Sequence, residues 1–314
     1  MCDIAQFSSG TKNRAYSPSP ITGRTVESEE NPSAVTDLQE WLQEAFRLSD
    51  EGQWEEAFQV LRDAESEHPR DPALLCMLGV AADQAGVGGL GYEYYRRCLD
   101  EQPTDPTVLV PLGAGLAQYD DPDAEGTLRL AALSAPEMAA ARLEYGAYLA
   151  REGMIDLALE ELGAARRLSP EDPRVGREIA VALLFAGRAE EGADELERSL
   201  SLEPDEGEVL LLHGLALLQA NRLDDGAEVL YRAGDALEDD GEAQLIVALA
   251  CATQEWWDQA WNALSRADLA ARQPPVEVSR EVEEALEGGV DDARSLLEDH
   301  LGPSVLRERL RERL

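Results

Sequence analysis

Residues 139–172 read AAARLEYGAYLAREGMIDLALEELGAARRLSPED, and this stretch decides the fold. Ala139–Arg151 carries apolar residues at Leu143, Tyr145, Ala147 and Leu149, and Glu152-Gly153 then breaks it. Ile155–Leu168 sets Leu157, Ala158, Leu162 and Ala165 along one side of a second helix. Ser169-Pro170-Glu171-Asp172-Pro173 stops that helix and opens the next, because proline ends one helix and suits the first turn of another. The stretch is a helical pair, and the pair repeats.

Small residues recur at Ala45, Gly79, Gly113, Gly146, Ala180, Gly214 and Ala248, in steps of 34, 34, 33, 34, 34 and 34 residues. A second small series, Ala57, Gly91, Ala124, Ala158, Gly192, Gly226 and Ala260, keeps the same beat. Large residues follow in phase at Leu61, Tyr95, Leu128, Leu162, Leu196, Leu230 and Leu264. The single 33-residue step reflects a deletion in the Tyr119–Asp123 turn. A fixed period of this length means stacked helical hairpins, each burying its face against its neighbours, and the expected class is all-α.

Trp41, Ala45, Trp54, Ala57, Leu61, Ala64 and Pro69 follow an aromatic, small, aromatic, small, large, small and proline order. In this the chain resembles the tetratricopeptide-repeat family. The resemblance covers about 38–274, with units starting near Leu38, Pro72, Pro106, Ala139, Pro173, Gly207 and Gly241. It implies a right-handed superhelical α-solenoid of about seven helix pairs. Two departures stand out: Glu44 sits where other units carry a bulky residue, and Glu238 replaces the closing proline of the sixth unit.

Residues 1–36 have almost no apolar periodicity and are expected to be a disordered tail, with the solenoid over 37–274. Over 275–314 the helical periodicity persists without the 34-residue beat. Gly288-Gly289 and Gly302-Pro303 are expected to divide this stretch into short helices that cap the array. The same helices could instead drive self-association.

The 64 acidic residues outweigh 27 basic ones, for a net charge of −37, and Lys12 is the only lysine. That field repels nucleic-acid phosphates and anionic membrane surfaces. The balance resembles proteins of salt-accumulating cytoplasms; an arginine-for-lysine codon bias in a GC-rich genome is the alternative. The four cysteines form no ligand-like grouping, and the N-terminus lacks a signal-like apolar stretch, so a cytoplasmic protein is expected. Val209–Ala220 and Leu245–Ala252 are too short to span a bilayer.

No chemistry-bearing constellation emerges. His68, His213 and His300 have no metal-ligand spacing, and His213 occupies a core place held elsewhere by Leu78, Leu112 and Ile179. Phosphate loops and nucleophile elbows are missing from the sequence. The expectation is a non-enzyme with no cofactor and no metal.

The resemblance implies that the first helix of each pair lines a concave surface. Residues four apart share one helical face, which gives the pairs Leu42/Phe46, Cys76/Val80, Val110/Ala114, Leu143/Ala147, Arg177/Val181, Leu211/Leu215 and Leu245/Leu249. Arg151, Arg174 and Arg177 are expected to cluster near the middle of this trough. Family members that clamp a peptide carboxylate do so with lysines and asparagines at these places, and this chain has none there. The expected function is therefore a scaffold whose apolar groove takes an amphipathic helix or extended apolar segment of a protein partner, with arginine meeting an acidic group. A self-associating assembly component and a regulatory subunit of a catalytic partner are the alternatives. Two bland readings compete: the leucines pack between adjacent helices, or 275–314 fills the groove.

Overall fold

A computed structural model describes residues 32–312. Most of the expected N-terminal tail lies outside the described residues, but α1 begins at Pro32, ahead of the expected start at 37. Seven helical hairpins follow in register: α1 (Pro32–Asp50) and α2 (Trp54–Glu65), α3 (Pro72–Gln84) and α4 (Leu90–Asp100), α5 (Pro106–Gln118) and α6 (Ala124–Ser134), α7 (Ala139–Arg151) and α8 (Ile155–Leu168), α9 (Pro173–Phe185) and α10 (Ala189–Leu202), α11 (Gly207–Gln219) and α12 (Leu223–Ala236), and α13 (Gly241–Thr253) and α14 (Trp257–Leu269). Then come α15 (Val276–Gly288), α16 (Val290–Ser295), a π-helical turn (Leu296–Leu301) and α17 (Gly302–Glu312). The chain is an all-α solenoid in two compact units, divided between Tyr145 and Gly146.

Local chemistry starts four of the seven hairpins. The Asp71, Asp105, Asp172 and Asp240 carboxylates accept backbone N–H bonds from Leu74, Thr107, Arg174 and Ala243, at 2.9–3.0 Å, in the first turns of α3, α5, α9 and α13. Each satisfies one of the donors that a helix start leaves without a partner. Inside a hairpin, the small series of the first helix meets the large series of the second. A Cβ added to Gly113, Gly146 or Gly214 would come within 2.6, 2.7 or 2.5 Å of the Leu128, Leu162 or Leu230 side chain. This approach is what the 34-residue beat encodes.

Tyr95 is the one aromatic in the large series, and it needs more room. Its ring lies against both Gly79 of its own hairpin and Gly115 of the next, where a Cβ on either glycine would overlap it. Its hydroxyl donates to Asp83 at 3.0 Å. Gly115→Ala should therefore cost about 1–3 kcal/mol by overpacking, and Tyr95→Leu in the same chain should recover most of that loss. Urea unfolding of the two single variants and the double variant measures the coupling; additive losses would contradict the contact.

The turn that lacks its proline is closed differently. Gln244, fully buried on α13, donates its amide to the Gly234 and Leu237 carbonyls at 2.7 and 3.0 Å, capping the end of α12 beside Glu238. Gly302-Pro303 does not break the last helix, contrary to expectation. Helical structure runs from Val290 through Glu312, and the Gly302 N–H bonds to Leu297 O across the π-turn. That wider turn accommodates a proline whose ring would otherwise meet the carbonyl four residues back.

Candidate protein-binding surface

The two members of each inner-face pair behave differently. At the first place, Leu42, Cys76, Val110, Leu143, Leu211 and Leu245 are all buried, and only Arg177 keeps partial exposure. Val110 sits in one cluster with Leu109, Ala131 and Ala141. Buried in this way, Leu42, Val110, Leu143, Leu211 and Leu245 do not line an open groove.

At the second place the series splits along the chain. Phe46, Val80, Ala114 and Ala147 are partly exposed, whereas Val181, Leu215 and Leu249 are at most 2% exposed. What covers the last two hairpins is the chain itself. α15, α16 and the π-turn pack on α13, and α17 packs on α11. Val282, Leu286, Ala293, Leu297, Val305, Leu306 and Leu310 join Val181, Leu211, Leu215, Leu245 and Leu249 in one apolar core. A Cβ on Gly302 would lie 3.7 Å from a Leu215 methyl, which puts the start of α17 directly on the expected groove. The trough is filled here.

Charge fixes the position of α17. Arg309 is 2% exposed and faces three carboxylates: Asp240 at 2.7 Å, Glu242 at 3.1 Å and Glu208 at 3.6 Å. Asp240 also caps α13 and lies 3.8 Å from Arg272. Burial pushes the Glu242 carboxyl above its ordinary range, and Arg309 pulls it back. The alternation RERLRER gave no hint that one arginine points inward.

The expected arginine cluster is engaged by its own chain. Arg174 makes two hydrogen bonds to the Asp172 carboxylate, at 3.1 and 2.7 Å. Burial raises the Asp172 pKa, but the Arg174 bonds and charge, with Arg177 adding, leave it below the usual carboxylate value. Arg151 lies over the Tyr148 ring, 5.3 Å from its centroid. Trp256 packs edge-on against Tyr231 at 5.8 Å, while Trp261 stays exposed.

His213 is buried on α11, its Nδ1 makes no hydrogen bond, and burial lowers its pKa. The unfolded chain, with an ordinary value near ~6.5, takes up the proton first on acidification. The contribution of His213 is therefore intact above about pH 6.5 and lost progressively as pH falls toward the depressed folded value. His213→Leu should flatten this part of the profile: the gap in urea midpoint between variant and parent should widen from about pH 7.5 to 5.5. A constant gap would place the histidine in water.

Comparison with protein-family models gives no match to this sequence, and comparison with curated proteins gives none. Solved structures do match. A chain of the APC/C hetero-tetramer Cut9–Hcn1 superposes with a TM-score of 0.63 at 16% identity, over 76% of this chain and 48% of that one. The pilF protein of Pseudomonas aeruginosa gives 0.56 at 18% identity, over 68% and 96%. The C-terminal part of a TPR repeat-containing protein from Cytophaga hutchinsonii gives 0.50 at 14% identity, over 76% and 98%. At these identities the likeness is one of fold. Among the described residues, no helix is long and apolar enough to cross a membrane.

Proposed function

We propose that this chain, whose fold is that of tetratricopeptide-repeat proteins, is a non-enzymatic scaffold that docks an amphipathic helix of a protein partner on the inner face of its first unit. The carrying observation is the split in the inner-face series. Phe46, Val80 and Ala114 keep partial exposure at the places that the chain's own helices cover on α11 and α13. The covered half supports the type of occupant, since helices with one apolar stripe are what these places accept there. The net charge of −37 favours a partner helix with a basic outer face. The acid excess also fits a salt-rich cytoplasm, where a Debye length of about 3 Å in molar salt leaves apolar contact as the main term.

Phe46→Glu with Val80→Glu should abolish partner capture from native extract while circular dichroism stays unchanged, at both low and molar salt. Capture that survives the double substitution would refute docking on this face. Val282, Leu286, Leu297, Leu306 and Leu310 pack inside the second unit, which weighs against a dimer that uses those side chains while α17 stays in place.

A further inference from the structure

We propose that the inner face of α11 and α13 is a second helix-binding site, that α17 is its resident ligand, and that an external helix of the same chemistry can take its place. The inference does not rest on the reading of the first unit. α17 touches the second unit through a narrow stripe, Val305, Leu306 and Leu310, with Gly302 against Leu215. Arg307 and Glu308 on its other side are exposed. It joins the preceding chain through a π-turn rather than a regular helical turn.

The polar contact is that of a recognition site. One arginine enters an apolar wall and meets carboxylates from both receiving helices, Glu208 on α11 and Asp240 and Glu242 at the start of α13. Even with Arg272 nearby, the three acids outnumber the two cations. Without α17 this would be an acidic mouth over a leucine-lined floor. A buried ion pair of this kind is weak evidence for stability, and its best-attested use is to set register and partner choice. The occupant that fits has apolar residues four and three positions before its inward arginine and one position after it, as Val305, Leu306 and Leu310 stand to Arg309. The site therefore fits an amphipathic helix bearing one inward arginine.

The test uses the full chain and a fluorescent peptide of residues 302–312. In the parent chain the resident helix holds the site, so apparent affinity is reduced by the fraction that is closed. Arg309→Glu sets a carboxylate against three others and opens the site. This variant should bind the native peptide at least about tenfold more tightly than the parent does. The same peptide carrying Arg309→Glu should not bind. A folded Arg309→Glu chain that ignores the native peptide, or binds both peptides alike, would overturn the proposal. Hydrogen exchange on the unaltered chain gives an independent check. Amides of Val305–Glu312 should exchange at least about tenfold faster than those of α11 and α13. Equal protection would make α17 an inseparable part of the core, and the proposal would fall.

Discussion

Leu249→Ala should lower the unfolding free energy of the second unit by about 2–5 kcal/mol. Leu249 is fully buried at the centre of α13, in the core completed by Val282, Leu286 and Leu297. Truncation removes its transfer energy and leaves a cavity walled on all sides, so the upper half of that range applies. On an open groove the same change would stay within about 0.5 kcal/mol. Urea unfolding followed by tryptophan fluorescence distinguishes the two, because Trp256 and Trp257 pack against this core. Leu249→Glu is harsher: a carboxylate with no partner in that wall should unfold the second unit rather than merely disable a binding surface.

Arg309→Met comes next, at about 3–5 kcal/mol. Methionine keeps most of the side-chain volume but leaves Glu208, Asp240 and Glu242 facing one another without the buried cation. The loss is set by repulsion and desolvation of those acids, not by missing contacts. It should therefore shrink on acidification. Burial already holds the Glu242 pKa above the ordinary carboxylate value, and losing Arg309 raises it further. An acid with a raised folded pKa destabilises above that pKa, and the penalty is relieved as pH falls through it. Thermal unfolding of the variant and parent at neutral and mildly acid pH should show the gap closing. A gap that stays constant would mean that packing, not charge, holds α17.

The hairpin register was legible because the signal is local and repeated seven times. Each small-to-large step places a side chain against a residue of the very next helix in the chain, as with Gly113 and Leu128. The inner-face positions were legible as a face for the same reason. Their occupancy was not, because what covers Leu215 and Leu249 lies tens of residues further along and outside the repeat. A signal did exist. Leu245–Ala252 is apolar on every side, and Val209–Ala220 is so apart from His213 and Gln219; a helix of that kind is buried nearly all round, not open on one face. Arg309 offered none, since Arg307 two residues before it is chemically identical and only the fold decides which of the two turns inward. Gly302-Pro303 misleads as a stop because the π-turn that accommodates it has no sequence signature of comparable strength.

The most direct measurement is methyl-labelled NMR of the full chain, read for through-space contacts of Leu215. Cross-peaks from its methyls to the Gly302 α protons are expected, from the 3.7 Å approach at that point. Leu215 methyls with water-exposed shifts and no contact to residues 302–312 would contradict a trough filled by the protein's own helix.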